Sequence, residues 1–103
     1  MTYTNALAAL ADPTRRHIFE ALRGKTLTVG ELAKSQPVSR PAVSQHLRVL
    51  EAARLVSAEA RGSHRFYSIR RDGLDELRAY LESFWSDVLS AYGEEISKRN
   101  NPH

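Results

Sequence analysis

The chain of 103 residues contains no cysteine. Disulfides, thiolate metal ligands and thiol redox sensing are therefore excluded within it. No apolar run approaches the roughly 20 residues that a membrane-spanning helix needs. The first residues, Met-Thr-Tyr-Thr-Asn, lack the basic and apolar segments of a secretory signal. A cytoplasmic protein with no membrane partner is the expectation. Catalytic signatures are missing too. There is no cysteine nucleophile, no glycine-rich phosphate loop, no G-x-S-x-G and no clustering of His with acids, so an enzyme is not expected. His17, His46 and His64 lie far apart on different elements, and none has a His-x₃-His partner. No metal site and no cofactor are predicted. Repeats, linkers and low-complexity segments are also absent, which makes residues 1–103 one domain.

What is present is 42% hydrophobic residues, enough for one core, and a net charge of +3. A domain this small has a high ratio of surface to volume and gains from a second copy. The charge is unevenly spread. From Ser39 to Arg71 there are seven arginines against Glu51 and Glu59, whereas from Asp72 to Arg99 there are seven acids against Arg78, Lys98 and Arg99. A basic middle and an acidic last third predict two surfaces with different partners.

The organising stretch runs from Ser39 to Ala53. Ser39 is a good N-cap and Pro41 fits the first turn, where its missing N–H costs nothing. Val43, Leu47 and Leu50 fall at i, i+4 and i+7 on one stripe. At about 100° per residue, Pro41, Ser44, Gln45 and Arg48 lie on the opposite front, with Arg40 at its edge. The front carries no carboxylate before Glu51. Arginine and glutamine make paired hydrogen bonds to base edges, and serine reaches a base or a phosphate, so this helix suits a DNA major groove.

Its flanks support that use. Tyr3 to Leu10 reads as a short first helix with Tyr3, Leu7 and Leu10 on one side. Asp12-Pro13 starts a second helix, ending near Leu22 and burying Ile18, Phe19 and Leu22. Arg15 and Arg16 in its first turn oppose the helix dipole; they either meet a phosphate or are merely solvated. Gly24 closes that helix, Thr28 caps a third from Val29 to Ser35, and Gln36-Pro37-Val38 turns into the organising helix. Residues 28–53 thus form a helix-turn-helix. Leu55 to Arg61 and His64 to Arg70 alternate as two strands around Gly62-Ser63, a wing over 55–70. Its basic tip, with Arg61, His64 and Arg65, suits phosphates or a minor groove.

The last helix, from about Asp72 to Lys98, has two apolar stripes. Leu74, Leu77, Leu81, Phe84 and Val88 form one; Trp85, Leu89, Tyr92 and Ile96 form the other. A domain of this size covers only one of them, and the surplus predicts a partner helix from a second copy. Tyr3, Leu7, Leu10, Leu81, Trp85, Leu89 and Tyr92 are the expected dimer contacts, so 1–10 and 72–98 are the dimerisation helices.

Four stretches carry a resemblance: Leu10 to Phe19, Val29 to Ala33, Ser39 to Leu50, and the wing from Arg61 to Ile69. Together, over about residues 5 to 90, the chain resembles the ArsR/SmtB family of bacterial winged-helix repressors. The resemblance implies an α+β, mostly α fold: a winged helix-turn-helix with a two-stranded β-hairpin wing and a long C-terminal dimerisation helix. It also implies homodimers that bind double-stranded DNA in successive major grooves and repress by occupying a promoter. Arg40, Pro41, Ser44 and Gln45 would then face the bases; Ser39, Arg48, Arg61, His64 and Arg65 complete the expected DNA-binding set. The chain departs from metal-sensing members of that family. Its Val29-Gly-Glu-Leu-Ala33 has no sulfur, and its last helix has no histidine before His103. No effector is indicated. A winged helix used to bind proteins is the competing function, and it would not require arginines clustered on one side.

Overall fold

A computed structural model describes the backbone of residues 2–100 and the side chains of residues 5–92. Its elements are α1 (Thr2–Ala11), α2 (Pro13–Ala21), β1 (Leu27–Thr28), α3 (Val29–Ser35), α4 (Arg40–Ala52), β2 (Val56–Arg61), β3 (His64–Ile69) and α5 (Arg71–Asn100). The first four helices stack around Ala6, Ala9, Ile18, Leu22, Leu32, Val43, Leu47 and Leu50, closed from the sheet side by Leu55, Val56 and Tyr67.

The caps are local. Asp12 Oδ2 accepts from the Arg15 amide at 2.8 Å, and Pro13 takes the first position of α2. That amide bond holds the Asp12 carboxyl below the usual carboxylate range. Arg15 and Arg16, in the next turn, neither wait for a phosphate nor stand free in solvent. Arg15 Nε and Nη2 donate to the carbonyls of Ala9 and Ala8, and Arg16 Nη1 donates to that of Leu10 at 2.9 Å. They satisfy the last carbonyls of α1, where the helix dipole favours cations. Cations that oppose the dipole of their own helix thus complement that of its neighbour. For α3, Thr28 and Glu31 form a capping box, each side chain bonding the other's backbone amide.

The sheet is the main departure from expectation. The wing hairpin is there, with Arg61 paired to His64 and Val56 to Ile69, but the sheet has three strands in the order β1-β3-β2. Leu27 and Thr28 pair with Tyr67 and Phe66 on the free edge of β3. This ties the entry to α3 to the base of the wing. Gly62 has φ +60 at the first position of the two-residue loop, where a tight hairpin favours glycine.

The end of α4 is joined to the start of α5. Leu55 N donates to Leu50 O at 3.0 Å and Arg54 N to Glu51 O at 2.9 Å, a Schellman closure with Arg54 at φ 61. A left-handed residue with a Cβ costs about 1–2 kcal/mol, and several contacts hold it there. The Arg54 carbonyl accepts from Gly73 N at 2.7 Å. Its guanidinium bonds Asp72 at 2.9 Å and Glu76 at 3.1 Å. Arg70 shares Asp72 at 2.7 Å, and Arg71 pairs with Asp75. The two arginines on Asp72, Arg70 foremost, hold that carboxyl below its usual range. Gly73 is required by this packing, since a Cβ there would lie 2.5 Å from the Ala53 carbonyl and 2.7 Å from that of Arg54.

Beyond this junction α5 packs against α1 and then extends past the core. The radius of gyration is 18.8 Å, whereas a compact chain of 100 residues has about 13 Å. Leu74 and Leu77 pack against the core. The expectation that one stripe would be covered internally fails past Leu77: Leu81, Phe84 and Val88 are exposed along with Trp85, Leu89 and Tyr92. A helix of 30 residues spans about 45 Å, longer than the core of so small a domain can follow.

Candidate nucleic-acid interface

The buried and open faces of α4 fall as its periodicity predicts. Val43, Leu47 and Leu50 are fully buried, while Arg40, Pro41, Gln45 and Arg48 are exposed and Ser44 is half-buried. Ser39 stands at the N-cap, its Oγ accepting from Ala42 N at 3.3 Å. One lone pair of its oxygen is engaged in starting the helix, and its O–H is left to donate outward.

Arg40, Ser44 and Arg48 line one wall of a groove of about 470 Å³, and Ser63, His64 and Arg65 of the wing line the opposite wall. Thr28, Val29, Gly30 and Glu31 at the start of α3, Lys34 in its last turn, Glu51 of α4 and Tyr67 of β3 complete the lining. Glu31 is an acid in a basic setting, but its carboxylate is tied into the Thr28 cap, which holds it below the usual carboxylate range. Sequence reasoning missed Gly30 and Lys34. The only signal for them was that a helix-turn-helix brings its first helix against the start of the second.

The two wing arginines are not equivalent. Residues opposite one another in an antiparallel pair share a face, so Arg65, paired with Ala60, lies on the face of Tyr67 and Ala58, turned toward α4. Arg61 lies on the other face, its guanidinium 5.1 Å from the centroid of Phe66 and 3.2 Å from Glu59. His64 packs beside the same ring.

The basic middle of the sequence also divides. Arg54, Arg70 and Arg71 are paired with acids of α5, and Arg61 with Glu59. Arg40, Arg48 and Arg65 have no ion pair among the described residues, and all three face the groove. The basic and acidic blocks are therefore partly each other's partners.

Of the expected dimer contacts, Leu7, Leu81, Trp85, Leu89 and Tyr92 are exposed, with Trp85 at 61% and Tyr92 at 59%. Leu10 is half-buried and packs against the core of its own chain. The side chain of Tyr3 lies outside the described residues. Among the described residues no three His, Asp or Glu side chains gather as a metal site, and no helix is long and apolar enough to cross a membrane.

Comparison with known proteins agrees with this geometry. Residues 12–58 match the family described as bacterial regulatory protein, arsR family. The HTH-type transcriptional regulator Rv2034 of Mycobacterium tuberculosis is 49% identical over 96 residues, 93% of this chain and 90% of the relative. The transcriptional repressor SdpR of Bacillus subtilis is 32% identical over 80 residues, 78% of this chain and 89% of the relative. A solved structure described as a possible transcriptional regulator for arsenical resistance superposes with a TM-score of 0.71 at 43% identity, covering 86% of this chain and 93% of the other. The chain belongs to the arsR family of bacterial regulatory proteins and is a winged-helix, DNA-binding transcriptional regulator.

Proposed function

We propose that the protein is a cytoplasmic, homodimeric repressor that occupies a pseudo-palindromic promoter operator. Arg40, Pro41, Ser44, Gln45 and Arg48 read or bracket the bases from α4. Ser39 and the wing residues Arg61, His64 and Arg65 contact the sugar-phosphate backbone or the minor groove. The observation that carries this reading is the convergence of the unpaired Arg40, Arg48 and Arg65 on one groove, whose lining holds two carboxylates, Glu31, tied into the Thr28 cap, and Glu51 near the end of α4. A strand of phosphates laid between α4 and the wing would meet cations from both sides. The second copy is supported by the apolar surface of α5, which no other described residue fully covers. Two α4 helices about 34–36 Å apart would read successive major grooves on one face of the duplex.

A gel-shift titration with the DNA upstream of its own gene, in excess unrelated DNA, tests the proposal. A discrete complex that survives the competitor is expected. Competition in proportion to mass by any DNA would reject sequence-specific binding. A complex containing one chain per operator would reject the dimer.

A further inference from the structure

Four of the five glycines lie in the described side-chain range, and three have a backbone reason to be glycine. Gly24 and Gly62 have φ of +67 and +60, and Gly73 faces two carbonyl oxygens. Gly30 has neither reason. Its φ is not left-handed, it sits in the first turn of α3, and the atoms nearest a Cβ there are side chain rather than backbone. Glycine within a helix is less stable than alanine, so the position gives up stability. Outside its own helix, the three atoms nearest the missing Cβ all belong to Arg40: Nη2 at 3.1 Å, Cζ at 3.4 Å and Nε at 3.8 Å.

Arg40 is the first residue of α4, and its backbone is fixed by the Ser39 cap and by Pro41. Its long side chain has rotamers to choose from. The bare backbone of Gly30 leaves room for the guanidinium close against α3, an orientation that a methyl there would crowd. An alanine methyl would sit closer to Nη2 than all but about a tenth of real Cβ contacts, and the guanidinium would shift by a few tenths of an ångström. A bidentate contact to a guanine edge depends on the direction of the fork, and a displacement of that size weakens it.

We propose that Gly30 is a positioning residue for Arg40: it leaves the guanidinium room at the orientation in which α4 reads a base pair, and so sets sequence preference without touching DNA. The inference rests on the base-reading role of Arg40 and deepens it.

The test compares the full chain with Gly30→Ala, Arg40→Ala and the double variant, by selection from a randomised DNA library and by thermal melting. Gly30→Ala should melt no lower than the wild type. Arg40→Ala should lose preference at one position in each half-site. Gly30→Ala should weaken preference at that same position about 3- to 10-fold, part of the discrimination of a full bidentate contact, and leave affinity for random DNA unchanged. The double variant should match Arg40→Ala alone. If Arg40→Ala loses its position while Gly30→Ala selects the wild-type site, the positioning role is overturned and base reading stands. A Gly30→Ala effect that persists unchanged in the Arg40→Ala background overturns it as well. An Arg40→Ala variant that selects the wild-type site overturns base reading by Arg40, and the positioning role with it.

Discussion

Leu89→Glu places a charge in the middle of the exposed apolar surface of α5. In the protomer Leu81, Phe84, Trp85, Val88, Leu89 and Tyr92 are between 43% and 61% exposed. Burying a whole side chain of this kind is worth about 1.5–3 kcal/mol, so completing the burial of each adds about 1 kcal/mol. Over two protomers that comes to on the order of 10 kcal/mol, against an association cost of about 4–15 kcal/mol. The margin is narrow, and a micromolar dimer needs the whole patch. Glutamate at position 89 removes the leucine's share and leaves an unpaired carboxylate to desolvate, once from each copy. An unpaired buried charge costs several kcal/mol, so dissociation should strengthen at least 1,000-fold. Leu89 lies outside the core cluster, so the variant should keep its helical circular dichroism. Sedimentation should show a folded monomer with operator binding lost. A wild type that sediments as a monomer at micromolar concentration would refute the reasoning, as would a folded monomeric Leu89→Glu variant with full operator affinity.

Arg65→Ala should lower the salt dependence of DNA binding by about one unit of slope, whereas Arg61→Ala, whose guanidinium is held by Glu59 and Phe66, should lower it by less; equal slopes would mean that wing orientation is irrelevant. Gly73→Ala should destabilise by about 1–3 kcal/mol through its clash with two carbonyls, against a helix-propensity gain of at most about 1 kcal/mol, and a raised melting temperature would refute the junction described for Arg54. Asp12, Glu31 and Asp72 have carboxyls held below their ordinary values in the folded state. The stability they contribute is present above the unfolded-state values of about 4 and is lost as pH falls through the lower folded ones. Urea midpoints should therefore drop below about pH 4, less so in Asp72→Asn, and a midpoint that rises on acidification would contradict this.

Features set by neighbours in sequence were legible in the chain. Ser39-x-Pro41 and the spacing of Val43, Leu47 and Leu50 fixed α4 and its open front within a residue. Asp12-Pro13, Thr28 and Gly62 marked their caps and turn. Features set by distant pairings were not legible. β1 is two residues long, too short to show alternation, and exists because β3 offers it an edge. The ion pairs of Arg54 with Asp72 and Glu76 span 18 and 22 residues, so part of what reads as a basic surface is an internal clasp. Arg15 and Arg16 were conspicuous in the sequence, but their partners are carbonyls, which every residue carries. At the candidate interface the front of α4 was readable by angle alone. The opposite facing of Arg61 and Arg65, and the place of Gly30 beneath Arg40, follow from the sheet register and helix packing.

Base reading by the front of α4 is tested most directly with Gln45→Ala, by fluorescence anisotropy on the selected operator and on random DNA of the same length and salt. Gln45 is exposed, bonds no other described residue and lies outside the core, so folding should be untouched. Loss of one good base contact costs about 1–3 kcal/mol, roughly 5- to 150-fold. That loss should be confined to the operator, with affinity for random DNA changed by less than about twofold. Equal losses on both DNAs would contradict base reading by α4.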